Sequence, residues 1–376
     1  MKITEIKTHS FLMDVSWATE TLIANPMSIY PKYKEKRSSW YGRQWAMVVE
    51  IKTDDDITGY GYIGGAQRGS LAAIEDQFKI FLQGADPFAT ELIWEQCFRA
   101  SQYHGRKGAA LSAISGIDIA LWDVKGKALH KPVYELIGGK TKERVRAYAT
   151  GIYTERHKEM GFRDVKIPVR YGPADGKEGL RKNEQDMKRT RELIGPDGDI
   201  MLDCYMALDV PYTIQLAKLA REYGVKWIEE PVLPDKVDSY RRIKDAVPDI
   251  MITGGEHEFT RYGFKELLEK RAVDLVQPDI YRAGGISELK KIAAMASAYD
   301  IPIIPHGIGA PTYHFVMATA NSPMAEYWDV YASGGEPVFF GEPTVSDGYV
   351  VFSDRPGLGY ELNPKVLAGA RPAPQW

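Results

Sequence analysis

Five apolar runs in the second half of the chain each end in a charged or imidazole side chain. They are Ile200-Met201-Leu202-Asp203, Trp227-Ile228-Glu229, Met251-Ile252-Thr253-Gly254-Gly255-Glu256, Leu275-Val276-Gln277-Pro278-Asp279 and Ile301-Pro302-Ile303-Ile304-Pro305-His306. Their last residues lie 26, 27, 23 and 27 positions apart, room for one strand, one helix and two loops each. A buried strand capped by a polar residue and repeated through helical crossovers is the pattern of a parallel β/α barrel, which gathers its chemistry where the strands end. Three carboxylates in consecutive units, Asp203, Glu229 and Glu256, suit a hard divalent cation such as Mg2+, which prefers oxygen ligands. Asp279 and His306 follow on the next two units as an acid/base pair.

The rest of the chain is consistent with such an enzyme. Its 376 residues exceed the roughly 250 of a barrel alone and leave material for a second domain. A net charge of −3 offers no broad basic surface for nucleic acid. Cys97 and Cys204 are the only cysteines, too few for a disulfide framework and typical of a reducing compartment. The first residues alternate polar and apolar like a strand, and no apolar run approaches the ~18 residues of a membrane span. The expectation is a cytoplasmic protein with no nucleic-acid or membrane partner.

Residues 1–140 change texture from strands to helices. Trp45–Ile51 and Ile57–Tyr62 flank the turn Asp54-Asp55-Asp56 as a hairpin, and helical patterns follow from Leu71. Strands followed by helices indicate a separate α+β domain. Beyond it, strand candidates at 145–150, 164–167, 200–203, 225–229, 251–256, 275–279, 301–306 and 325–327 alternate with helical patterns. The fold class is therefore α/β: a (β/α)7β TIM-like barrel over 141–330 with an N-terminal α+β capping domain. The Gly- and Pro-rich residues 331–376 are expected to fold back on the capping domain.

A lone acid at a strand end is more often a helix cap, but Glu caps poorly and three acids at matching positions exceed what capping needs. In Glu229-Glu230 the alternation of a strand admits one inward side chain, and Glu229 keeps the spacing. A carboxylate on one imidazole nitrogen fixes the tautomer and raises the basicity of the other. Beside a divalent cation, an Asp279–His306 pair suits removal of a proton from the carbon next to a carboxylate, with the cation holding the enediolate charge. Two other motifs carry nothing. Gly59-Tyr60-Gly61-Tyr62-Ile63-Gly64 leaves a hairpin and enters no amphipathic helix, so the dinucleotide context is missing. The basic run from Arg181 to Arg191 alternates with acids as a solvated helix face.

The run from Ala113 to Lys127, AISGIDIALWDVKGK, resembles the helix that precedes the barrel in the enolase superfamily, within it the mandelate racemase-like acid sugar dehydratases. Pro132–Gly139 and Pro356-Gly357-Leu358-Gly359-Tyr360 resemble further motifs of that family, so the likeness spans nearly the whole chain. Such sites are known to use a Lys or His base with Mg2+ on the enediolate. The resemblance implies Asp203, Glu229 and Glu256 as Mg2+ ligands, His306 with Asp279 as the dyad, and Glu326 as an eighth-strand carboxyl bonded to the substrate carboxylate. It also implies a sugar acid as substrate, a 2-keto-3-deoxy acid as product, and a homo-oligomer between dimer and octamer. Stretches such as Ala24-Asn25-Pro26-Met27-Ser28 and Gly255-Glu256-His257 are similar to L-rhamnonate dehydratases in particular, although Asp14–Tyr33 lacks the His of their N-terminal loop. Arg37, Lys166 and His257 are the expected substrate contacts. Many relatives carry Lys-x-Lys on the second barrel strand with the second Lys as a base. Here that position is Pro168, which disfavours the alternative activity of an epimerase or racemase. A non-catalytic scaffold of the same fold is the remote alternative.

Overall fold

The computed structural model describes residues 1–12, 22–34, 44–65, 68–328 and 337–368. Strands β1 (Ile3–Leu12), β2 (Trp45–Thr53) and β3 (Thr58–Ile63) form an antiparallel sheet in chain order, with the Asp54–Asp56 turn joining the last two. This sheet packs on helices α1 (Thr90–Ala100) and α2 (Ala109–Ala128) around Met47, Val49, Ile51, Leu111 and Ile114. α2 lies on β3 at backbone contact: a Cβ on Gly61 would stand 1.9 Å from the Gly116 carbonyl oxygen. Only glycine fits that approach.

The barrel strands are β4 (Val145–Thr150), β5 (Val165–Pro168), β6 (Ile200–Asp203), β7 (Val225–Glu229), β8 (Met251–Gly254), β9 (Leu275–Val276) and β10 (Met324–Tyr327). They pair in parallel from β4 through β9, and β10 returns to pair with β4, closing the ring. The seven crossovers are α3 (Thr154–Glu159), α4 (Gly176–Ile194), α5 (Val210–Ala220), α6 (Val237–Ala246), α7 (Thr260–Glu269), α8 (Gly285–Ala298) and α9 (Ala310–Ala318). Tyr148, Met201, Trp227, Leu275, Ile304 and Met324 form an apolar cluster of their own inside the ring, so the barrel is packed below its mouth.

Two strands stop short of their apolar runs, and a third run forms no strand. β8 stops at Gly254 because Gly255 takes a φ of 125°, and a Cβ there would meet Phe264 at 2.6 Å. β9 stops at Val276, before Pro278. The 301–306 run pairs only through the bridges Val276↔Ile303 and Asp279↔His306. Pro278, Pro302 and Pro305 lack the N–H that a ladder requires.

α2 is also the seam between the capping sheet and the barrel. Ser115, Asp118 and Trp122 share one face at helical spacing. The Ser115 hydroxyl accepts the Gly284 N–H at 2.9 Å, and Asp118 accepts the N–H (2.9 Å) and hydroxyl (2.5 Å) of Ser287 in the first turn of α8. Trp122 donates to the same Ser287 hydroxyl at 2.9 Å. Asp123 accepts from the backbone of Tyr60 and of Leu358, at 3.1 and 2.9 Å. Leu358 belongs to the tail, whose described residues 337–368 touch both parts of the molecule. Tyr360 donates to the Tyr60 carbonyl at 2.8 Å, and the strand Tyr349–Val351 pairs with the start of β4. No helix among the described residues is long and apolar enough to cross a membrane.

Candidate active site

The register of the barrel decides which side chains meet at its mouth. Pro168 lies opposite Asp203, Asp203 opposite Glu229, and Glu229 opposite Thr253. Asp203 and Glu229 therefore stand on neighbouring strands at the same height. Glu256 reaches the mouth from beyond β8 by way of the Gly255 turn. All three of these carboxylates are at most partly accessible, and Glu229 is fully buried.

Lys166 is not at the rim. Its side chain is 1% exposed, and its Nζ lies 2.6 Å from Glu229 Oε1 and 2.9 Å from Glu326 Oε1. Burial opposes its charge, but Glu229 and Glu326 outweigh this and raise its pKa well above the usual lysine value. Glu229 is held on its other oxygen by Trp227 Nε1 at 3.1 Å and Gln277 Nε2 at 2.6 Å. Glu326, expected to face a substrate carboxylate, already accepts the Thr150 hydroxyl at 2.6 Å and the Gly307 N–H at 2.8 Å. Although burial opposes its ionisation, Lys166 and His306 keep its pKa below the usual range.

Asp279 and His306 meet as spaced: Asp279 Oδ2 lies 2.8 Å from Nδ1 of the imidazole. The Tyr281 N–H bonds the other oxygen of Asp279 at 2.7 Å. Nε2, the nitrogen left for chemistry, lies 3.2 Å from Glu256 Oε1. Burial alone would make the imidazole less basic, yet Glu256, Asp279 and Glu326 together raise its pKa to about 9. The indole of Trp328 stands edge-on against the ring, centroids 5.3 Å apart.

Strand alternation does not separate Glu229 from Glu230, because the strand ends between them. Glu230 has a φ of 39° and is fully buried. Its carboxylate holds His257, with Oε2 2.6 Å from Nδ1 and Oε1 accepting the backbone N–H at 3.1 Å. Burial works against a charged His257, and Glu230 with Glu256 reverses that and raises its pKa. Arg282 completes the group, its Nη1 donating to Glu256 Oε1 at 3.2 Å. Glu230 was weighed against Glu229 in the sequence and set aside, whereas Gln277 and Arg282 were not singled out; they flank Asp279 and carried no spacing of their own. Arg37 lies outside the described residues. His314, far from the mouth, accepts the Tyr134 N–H at 3.1 Å in the core, where burial lowers its pKa to about 3.

The mouth thus collects Asp203, Glu229, Glu230, Glu256, Asp279 and Glu326 around Lys166 and Arg282, with His257 and His306 among them. Burial, helped by Glu229 and Glu256 and opposed by Lys166, pushes the Asp203 carboxyl up to about 8. Negative charge in excess of its partners is the condition that a divalent cation relieves. Glu230, Glu256 and His257 also offer ligand atoms within 4.8 Å of one another, a second donor set that shares Glu256.

Comparison with known proteins identifies the family. Residues 152–366 match a family model described as enolase C-terminal domain-like. Residues 36–138 match that of the mandelate racemase/muconate lactonizing enzyme N-terminal domain. L-rhamnonate dehydratase of Saccharopolyspora erythraea is 40% identical over 352 residues, 92% of this chain and 90% of that protein. The crystal structure of L-rhamnonate dehydratase from Gibberella zeae superposes with a TM-score of 0.93 at 40% identity, covering 99% of this chain and 96% of that one. The rhamnonate dehydratase of the same organism complexed with Mg aligns with a TM-score of 0.90 at 39% identity, over 99% of this chain and 96% of that one.

Proposed function

The chain belongs to the enolase superfamily, and from that premise we propose that it is a Mg2+-dependent dehydratase of an L-rhamnonate-like sugar acid, forming the 2-keto-3-deoxy acid. The observation that carries the reading is the imidazole of His306. Its Nδ1 is held by Asp279 at 2.8 Å, and its Nε2 faces the carboxylate cluster. Asp203, Glu229 and Glu256 would hold the cation, which when bound supplies positive charge for the enediolate that develops on the substrate carboxylate.

In this reading His306 Nε2 removes the proton from C2. A base must be neutral, and an imidazole with a pKa of about 9 is not. The foremost charge holding its proton is Glu256, so neutralising Glu256 frees the base. Asp279 fixes the tautomer and steadies the imidazolium that forms. That imidazolium then protonates the departing 3-hydroxyl, which leaves as water from the same face, a syn elimination. Tautomerisation of the enol gives the keto acid. Lys166 would face the substrate carboxylate, and Glu326 would fix both Lys166 and the loop that follows His306. His257 would meet the sugar hydroxyls. An epimerase would need a second base on the opposite face, and Pro168 on β5 lies beside Asp203 in that place.

The test is purified protein with Mg2+ against four- to six-carbon sugar acids, read by α-keto acid formation. L-rhamnonate or a close stereochemical relative is expected to give product. In D2O the recovered substrate is expected to contain no C2-inverted epimer, and accumulation of that epimer would move the protein to the racemase reading.

A further inference from the structure

Arg282 touches the same two oxygens that flank the imidazole of His306. Its Nη1 lies 3.2 Å from Glu256 Oε1, the atom 3.2 Å from His306 Nε2. Its Nε lies 3.2 Å from Asp279 Oδ2, the atom 2.8 Å from His306 Nδ1. The stem is anchored as well, because the Arg282 N–H donates to the Asp279 carbonyl at 3.1 Å. Two carboxylates and two cations therefore alternate in a closed ring.

We propose that Arg282 is a positioning residue that joins the cation-binding carboxylate Glu256 to the His306–Asp279 dyad. This rests on the functional reading above. Arg282 spans Glu256 and Asp279, and so keeps the two carboxylates at the two edges of the imidazole. A planar fork suits the task, since it reaches two carboxylates at once and a lysine ammonium presents a single point of charge. The same contact has a cost for metal binding. Glu256 would then serve two positive partners, the guanidinium on Oε1 and the cation it helps to hold, and like charges around one carboxylate repel. Arg282 thus favours alignment of the base at the expense of cation affinity, a trade that a residue of merely structural importance would not make.

The opposed effects make the test. Mg2+ binding to the substrate-free protein is measured by titration calorimetry, and turnover at saturating Mg2+ by keto acid formation. Arg282→Gln is expected to bind Mg2+ about threefold more tightly or better. Its kcat is expected to fall about tenfold or more, with KM within about twofold of the parent. Arg282→Lys keeps the charge and loses the fork, so its Mg2+ affinity stays near the parent's while its kcat falls. Weaker Mg2+ binding by a folded Arg282→Gln overturns the proposal, as does full kcat in either variant. If the Gln variant does not fold, the Lys variant decides alone: reduced kcat at unchanged affinity supports the proposal, and retained kcat overturns it. A parent protein that binds no divalent cation overturns the functional reading itself, and this proposal with it.

Discussion

Two regions of the molecule bury carboxylates, and they treat them in opposite ways. On α2, Asp118 and Asp123 are buried among neutral donors from other elements: Ser287 of the barrel for Asp118, and Tyr60 of the capping sheet with Leu358 of the tail for Asp123. One cation, Lys127, reaches Asp123 at 3.0 Å. At the barrel mouth the acids crowd one another, and charged groups are their main partners. Neutral donors fix a carboxylate in one place and leave it nothing else to do. An excess of like charge leaves binding capacity to be filled, here by a cation and an anionic substrate. The residue type is the same; the partners decide whether it builds the fold or serves the chemistry.

The comparison breaks first at the mouth, where the effects are largest. Chelation with EDTA is expected to abolish keto acid formation and Mg2+ to restore it. Asp203→Ala and Glu256→Ala are expected to abolish turnover while the circular dichroism and melting of the apo protein persist, since relieving charge excess does not unfold the barrel. Glu229→Ala and Glu230→Ala, assayed side by side, separate the two overlapping donor sets. Loss in the second with activity in the first would move the cation site toward Glu230, Glu256 and His257.

Next comes the dyad. His306→Asn is expected to lower kcat by roughly 10²–10⁴, the usual worth of a general acid/base group, and Asp279→Asn by less, because Asp279 orients the ring and does not carry the proton. Single-turnover rates at saturating Mg2+ measure both. Equal and negligible losses would place the base elsewhere, with Lys166 the next side chain to test.

These expectations depend on residues of unequal visibility in the sequence. Asp203, Glu229, Glu256, Asp279 and His306 could be picked out as candidates because each ends an apolar run and the runs recur once per barrel unit. The barrel and the α+β cap were legible for the same reason, through periodicity alone. Glu230 was obscured because its positive φ abolishes the alternation on which the choice between the two glutamates rested. The seventh strand looked continuous, yet its prolines reduce it to bridges; apolar character marks burial and says little about hydrogen bonding. Lys166 could be placed on its strand, but its engagement by two glutamates from β7 and β10 is a product of ring closure, which no local pattern encodes. Arg282 was hidden for a like reason, since its partners lie on two different barrel units.

At the α2 seam the expected effects are smaller and fall on stability. Asp118→Ala strands the Ser287 N–H and hydroxyl in a buried site, a loss of about 1–3 kcal/mol for unpaired buried groups. Urea unfolding is expected to show that loss, with kcat of the folded fraction unchanged. A fall in kcat larger than the loss of folded protein would mean that the seam also positions the mouth, and the contrast between the two regions would then narrow.

A pH series at the same seam tests what holds the charge of Asp118. Burial raises its pKa from 3.8 to about 7, against the Ser287 bonds that lower it. The folded state then binds more protons than the unfolded state between those two values. By linkage, stability falls as pH rises through that window and levels off above about 7. Asp118→Asn removes the titration and keeps the shape, so the melting temperature of the variant is expected to decline less steeply than the parent's between pH 4 and 7. The seam offers an opposing influence, because Asp118 meets the first turn of α8, where the helix dipole favours an anion. If parent and variant show the same slope, that dipole and the two Ser287 bonds offset burial, and Asp118 is ionised throughout. The seam would then hold a fixed charge as the mouth does, with the difference that helix amides rather than a metal ion neutralise it.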